Sequence, residues 1–263
     1  MKVLDLFSGI GGFSLGLERA GMTTVAFCEI EPYPQAVLRK NFPGVPIYED
    51  VQKLSRSELE SDGIVGVDVV CGGFPCQDIS AAKSWTSNGA NVVDGIAGGR
   101  SGLWKEYARV IDEFKPRYVV AENVKDLRKK GLCVVLSDLA ELGYDAEWCV
   151  VSSAVFGAPH RRERLIIVAH PYSVGRQQKS VLQRSFTRET VRQASWWEPS
   201  RTVREVDGKA ALPESFGIYD GVPRGLDDGQ RIRCLGNSLM PLIPEIIGRA
   251  IMQVEGKNEK GSA

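Results

Sequence analysis

The chain has 263 residues, 43% of them apolar, and 33 basic side chains balance 33 acidic ones to a formal net charge of zero. That length suits one α/β domain, or one large and one small, with ample material for a core. Zero net charge argues against a protein-wide polyanion-binding surface. No apolar run approaches bilayer length and no charged-then-apolar leader is read at the start, so a cytoplasmic protein is expected.

Short β-rich runs at 3–7, 24–28, 46–48, 67–71, 118–121, 145–151 and 164–169 alternate with helical periodicity at 13–20, 32–41, 102–114 and 132–142. Such alternation predicts a mostly parallel sheet with helices on both faces, whose ligands bind at the carboxyl ends of the strands. Phe7–Gly12, Glu29, Asp50, Cys76 and Glu122 all fall at predicted strand ends. The first strand runs into Ser8-Gly9-Ile10-Gly11-Gly12, a turn that lets backbone approach a ligand closely. Its spacing departs from the pyrophosphate-binding pattern, which favours a nucleoside without phosphates. Glu29 follows Gly9 by 20 residues, where an acid can take both ribose hydroxyls. Asp50, after the third strand, suits an adenine edge and equally suits a helix cap before Val51-Gln52-Lys53-Leu54.

Next, Val67–Cys71 runs through a Gly72-Gly73 turn into Phe74-Pro75-Cys76-Gln77, which puts a thiol at a loop tip in a cleft. The other cysteines (28, 71, 133, 149, 234) form no CxxC pair. With only His160 and His170 as histidines, no metal-like cluster is read. Those five read as small buried residues in a reducing compartment. Residues 78–101, with glycines at 89, 95, 98 and 99, read as a lid. Glu122-Asn123-Val124 places an acid at a buried strand end, which is costly unless it is paired or functional. Arg161-Arg162-Glu163-Arg164 is a dense cationic run suited to anions or to a salt-bridged edge.

The alternation fails from 171 to 230. Between Arg176 and Arg204, the basic residues Arg176, Lys179, Arg184, Arg188, Arg192, Arg201 and Arg204 stand against only Glu189 and Glu198, with Phe186, Trp196 and Trp197 interleaved: a local basic patch. An amphipathic helix is expected over 236–254 and a disordered tail over 255–263.

Five stretches in this order resemble the motif series of DNA (cytosine-5) methyltransferases: Asp5-Leu6-Phe7-Ser8-Gly9-x-Gly11-Gly12, Gly73–Gln77, Glu122–Val124, Arg162-x-Arg164 and Gly236-Asn237-Ser238. The likeness covers 1–170 and 231–253. The tail motifs around Trp197-Glu198-Pro199 and Asp220–Pro223 resemble short phage and prophage members.

The resemblance implies a Rossmann-like S-adenosylmethionine-dependent methyltransferase sheet with a small irregular recognition region. It divides the chain into a catalytic and cofactor-binding domain (1–170), a compact recognition region (171–230), a returning helix (231–254) and the tail. It implies cofactor contacts from Phe7, Gly9, Gly11, Gly12, Glu29, Ile30, Asp50, Val51, Pro75, Asn237 and Ser238. Cys76 would be the nucleophile and Glu122 the acid beside the base. Arg162 and Arg164 would flank a flipped cytosine. Gln77, Ser80, Arg161, Arg184, Arg188 and Arg192 would meet DNA. The partner is then double-stranded DNA, a cognate restriction endonuclease stands as a candidate second partner, and a monomer using no metal is expected. His160 stands where the family usually has Gln, and the recognition region is shorter than most. A tRNA-directed enzyme and a non-catalytic DNA-binding homologue are the competing readings. Intact Cys76, Glu122 and Arg164 argue against the second.

Overall fold

A computed structural model describes residues 1–75, 102–158, 162–172, 180–194, 204–206, 209–211 and 237–260. Seven strands form one sheet: β1 (Lys2–Leu6), β2 (Thr23–Cys28), β3 (Ile47–Tyr48), β4 (Val69–Gly73), β5 (Tyr118–Val124), β6 (Tyr144–Ser152) and β7 (Glu163–Pro171). Their order is β3-β2-β1-β4-β5-β7-β6. The first five strands are parallel, and β7 runs antiparallel to both β5 and β6. The chain progresses outward in one direction through β2 and β3 and in the other through β4 and β5. The switch point between β1 and β4 therefore opens a crevice at the carboxyl ends of those two strands, the place where such sheets bind ligands.

Both faces are covered. On one, α4 (Gly102–Phe114) and α6 (Leu132–Glu141) bury Trp104, Tyr107, Ile111, Val135 and Leu139 against Leu4, Leu6, Val70 and Val119. On the other, α1 (Gly12–Arg19) lies beneath α9 (Leu242–Lys260), and Phe13, Leu17, Ile243 and Ile247 pack on Val3, Val69, Val120 and Ile166. Each such side chain contributes about 1.5–3 kcal/mol by leaving water. Small residues let α1 and α9 approach closely. A Cβ on Gly16 would meet Pro241 O, Pro244 Cγ at 2.6 Å and Glu245 N at 2.8 Å, and one on Gly248 would meet Ala20 Cβ at 2.7 Å.

The sequence-based elements need three corrections. Gly72-Gly73 is not a turn but the end of β4. A Cβ on Gly72 would strike the Leu6 carbonyl of β1, and one on Gly73 would lie 2.6 Å from Glu122 Oε2. Glu122 lies inside β5, not after it, paired with Gly73 on one side and Ile166 on the other. The C-terminal helix starts at Leu242, not 236, and persists to Lys260, through residues assigned to a disordered tail. Past residue 171, α7 (Val181–Ser185) sends Val181 and Leu182 into the α1/α9 core.

Three short helices were also missed: α3 (Arg56–Ser61), α5 (Leu127–Lys130) and α8 (Arg188–Ala194). For α3 the signal was present. Ser55-x-x-Glu58 is a capping-box sequence, and Ser55 Oγ accepts from Glu58 N at 3.2 Å.

Candidate active site

The loop after β1 is shaped by two buried polar residues. Asp5 is fully buried, and its Oδ2 accepts from Ser14 Oγ (2.7 Å) and Ser14 N (3.3 Å), which ties β1 to the first turn of α1. Its Oδ1 has no partner, and burial pushes this carboxyl up to about 7. Ser8 Oγ donates to the Asp5 carbonyl at 2.6 Å and accepts from Cys28 N at 3.2 Å, so the ends of β1 and β2 are cross-linked. Between them Phe7 adopts φ +50, a conformation uncommon outside glycine and concentrated at functional sites. Its ring stacks on Tyr107, centroids 6.3 Å apart.

Glu29, directly after β2, is buried, and burial raises its carboxyl above the ordinary range. Glu29 Oε2 accepts from Gly9 N at 2.7 Å and Oε1 from Glu31 N at 2.8 Å. The carboxylate therefore pins the glycine loop to the β2 end, and each oxygen keeps a second lone pair. Beside it Ile30 is 67% exposed. A Cβ on Gly9 would meet nothing within 4 Å, so the loop opens onto free space. Two acceptor oxygens, a bare apolar side chain and an open glycine fit a nucleoside diol and its base. Asp50 closes a local turn, its Oδ1 accepting from Gln52 N at 3.0 Å. The neighbouring Val51 carbonyl accepts from Arg109 Nη2 at 2.6 Å. Sequence reasoning missed Arg109, since nothing in the local pattern marks a helix residue that reaches a loop 58 positions earlier.

Across the switch point, β4 and β5 build the second half. Gly73 pairs with Glu122, and the missing Cβ makes room for its carboxyl. Val124 pairs with Arg164, which places Arg164 diagonally from Glu122, and Arg164 Nε meets Glu122 Oε1 at 2.6 Å. Burial pushes Glu122 up to about 7 even though Arg164 and Arg162 pull it down. Asn123 Nδ2 donates to the Phe74 carbonyl at 3.0 Å and holds the backbone one residue before Pro75. The motif contained Asn123, but only the fold reveals this function.

Arg162 is fixed differently. Its N–H donates to Ser153 Oγ, its carbonyl accepts from Ser153 N (both 3.1 Å), and its Nη2 donates to the Ser238 carbonyl at 2.9 Å. Burial, then Arg164, lowers its guanidinium to about 10. Ser238 also borders the cofactor-side loop: a Cβ on Gly12 would lie 2.8 Å from Ser238 Oγ and 2.6 Å from the Leu239 carbonyl. Asn237 is exposed.

Cys76, Gln77, Ser80, His160, Arg161 and the stretch 78–101 expected to form a lid lie outside the described residues, as do most of 195–236, including Trp196 and Trp197. Of the three arginines assigned to DNA in the basic segment, Arg188 is exposed. Arg184 is half-buried with an unpartnered buried Nε, and for Arg192 only the backbone is described. Of the other cysteines, 28 and 71 are buried as expected, but Cys133 is exposed and Cys149 half-buried. Burial holds Cys28 near 12 and Cys149 near 11, so both keep their protons at neutral pH. Among the described residues no helix is long and apolar enough to cross a membrane.

The doubly wound sheet thus carries a buried acid directly after β2 and a buried acid–arginine pair across β5 and β7. The profile of the C-5 cytosine-specific DNA methylase family matches residues 1–195, and the chain belongs to that family. It is 42% identical over 177 residues to the type II methyltransferase M2.BsuMI of Bacillus subtilis, an alignment covering 64% of this chain and 42% of that protein. It is 35% identical over 171 residues to M.NgoFVII of Neisseria gonorrhoeae, covering 64% and 43%. The chain thus matches less than half the length of these relatives. Among solved structures, the methyltransferase EhMeth of Entamoeba histolytica shares the fold with a TM-score of 0.66 at 16% identity, over 97% of this chain and 98% of that one. A structure described as a DNA modification methyltransferase encoded within an E. coli prophage gives 0.54 at 23%, over 90% and 69%.

Proposed function

We propose that this chain transfers a methyl group from S-adenosylmethionine to C5 of a cytosine flipped out of duplex DNA, through a covalent bond between Cys76 and C6. The observation that carries the proposal is Glu122. It is a buried carboxyl raised to about 7, held against Gly73 and Arg164, on the strand beside the one that leads through Pro75 to Cys76.

Cytosine C5 is too weak a nucleophile to take a methyl group unaided. Addition of the Cys76 thiolate at C6 converts the ring to an enamine whose C5 can attack. Glu122, protonated or sharing its proton at ring N3, offsets the negative charge that develops there. Arg164 orients that carboxyl. After methylation a base removes the C5 proton and the C6–sulfur bond breaks, which restores the thiolate. The target must leave the stack to present C6, so the base is flipped. Glu29 would hold the ribose of the cofactor, with Phe7, Gly9, Gly11, Gly12, Ile30, Asp50 and Val51 around its base and loop, and Pro75, Asn237 and Ser238 closing the pocket. The cofactor supplies an electrophilic sulfonium methyl. Gln77, Ser80, Arg161, Arg184, Arg188 and Arg192 would contact the double-stranded DNA, with a cognate restriction endonuclease as a candidate partner in the cell.

The test is transfer of labelled methyl from S-adenosylmethionine to duplex DNA, with tRNA as a parallel substrate. Transfer to DNA is expected, with a denaturation-resistant adduct on DNA carrying 5-fluorocytosine, whose fluorine blocks elimination. Cys76→Ala should lose both while retaining cofactor binding. Transfer to tRNA alone, or full activity of Cys76→Ala, would overturn the reading.

A further inference from the structure

The proposed base pocket and cofactor pocket are built from distant parts of the chain, yet one side chain touches the structural frame of both. The Arg162 backbone is bolted on both sides to the buried Ser153, which starts the short 3-10 helix after β6. Arg162 stands two residues before Arg164, whose Nε meets Glu122 at 2.6 Å, and the charges of both act on its guanidinium. The same guanidinium reaches the carbonyl of Ser238, 76 residues later. Ser238 and Leu239 in turn cover Gly12, the first residue of α1, so closely that no Cβ fits there. Leu239 is buried in the core that holds Phe13.

We propose that Arg162 is a positioning residue for the cofactor pocket: through the Ser238 carbonyl it holds the 237–239 segment against the glycine loop, while Arg164 makes the direct ion pair with the base-side acid. The geometry favours this division. Arg164 points its Nε at Glu122, whereas the hydrogen bond of Arg162 goes to a main-chain carbonyl, which has no chemical part in the reaction. A hydrogen bond from a charged donor to a carbonyl is among the stronger ones. A lysine at 162 keeps the charge but loses the rigid fork that reaches across. The inference rests on S-adenosylmethionine being the ligand of this pocket.

The experiment measures S-adenosylmethionine affinity by calorimetry without DNA, for wild type, Arg162→Lys and Arg164→Lys. Arg162→Lys should weaken binding by roughly tenfold, the usual worth of a charge-assisted hydrogen bond. It should raise KM for the cofactor by a similar factor, and hydrogen exchange over 237–243 in the ligand-free protein should quicken. Arg164→Lys should do the reverse: kcat falls and cofactor affinity holds. If Arg162→Lys does not fold, Leu239→Val carries the test by loosening the same segment, with the same loss of affinity expected. Wild-type affinity and exchange in Arg162→Lys would overturn the proposal, as would wild-type affinity and exchange in Leu239→Val should Arg162→Lys not fold. A wild type that binds no S-adenosylmethionine would instead sink the proposed function.

Discussion

Glu122→Gln separates a proton donor from a shape. The amide fills the same volume between Gly73 and Arg164, and its carbonyl can still accept from Arg164 Nε, now at 2.6 Å from the carboxylate. What disappears is the proton. With the carboxyl raised to about 7, roughly half the molecules carry that proton at neutral pH, falling to about one in ten a unit higher. If the protonated form assists the reaction, the wild-type rate declines roughly tenfold per pH unit well above 7. With Cys76 as the proposed nucleophile, its thiol would add a rising limb, since only a thiolate attacks. Together they give a bell. Glu122→Gln should lower the rate by about 10²–10⁴-fold, the usual contribution of general acid–base assistance. It should also erase the falling limb and leave the rising one. Single-turnover methyl transfer from pH 5.5 to 9.5, with saturating cofactor and DNA, reads both effects. A Gln variant within threefold of wild type, or one keeping the same falling limb, would refute the assignment of the proton to Glu122.

Glu29→Ala should weaken S-adenosylmethionine far more than DNA, because it removes both acceptor oxygens and frees the Gly9 loop; unchanged affinity by calorimetry would reject that reading. Asp5→Asn should flatten the dependence of stability on pH. Asp5 rises from 3.8 to about 7 on folding, so the folded state binds the extra proton and wild-type stability falls as pH climbs through that window, by up to about 4 kcal/mol. Urea titrations at pH 5 and 8 measure the difference, and an equal slope in both proteins would show Asp5 ionised in the fold. Gly16→Ala gains about 1 kcal/mol of helix propensity but forces a methyl into the backbone of α9. Overpacking typically costs 1–3 kcal/mol, so a net loss, and a lower Tm, is expected; an unchanged or higher Tm would mean that α9 yields at no cost.

Much of the sheet was legible because alternation and strand-end chemistry are local. Glu29 declares itself by following a β-branched and aromatic run, Thr23–Cys28, at a set distance from a glycine turn. The strand order, with β7 lodged between β5 and β6, is not local and left no trace in the spacing. The Gly72-Gly73 pair misled for a physical reason. Paired glycines usually mean a turn, but here they answer neighbours on β1 and β5 that only the folded sheet supplies. The C-terminal helix was cut short because its last turns are polar, and a solvated turn looks like a tail when the buried anchors, Ile251 and Val254, lie before it. Arg109 and Asn123 act on carbonyl oxygens, which carry no residue identity for a sequence reader to match.

The lodging of β7 between β5 and β6 has a consequence for how the chain is made. During synthesis β5 leaves the ribosome some forty residues before β7, and β6 leaves before it too. Neither can pair with the other in the finished order. For that interval β5 presents a bare row of main-chain donors and acceptors along Val119–Val124, beside the apolar Val119, Val120 and Ala121, and β6 presents a second one. An emerging chain in that condition offers two open templates for strand addition. A stop codon or a pause ahead of Glu163 should therefore yield aggregates instead of a smaller soluble body. The same late insertion brings Arg164 to Glu122, so the acid stays without its counter-charge until the sheet is whole.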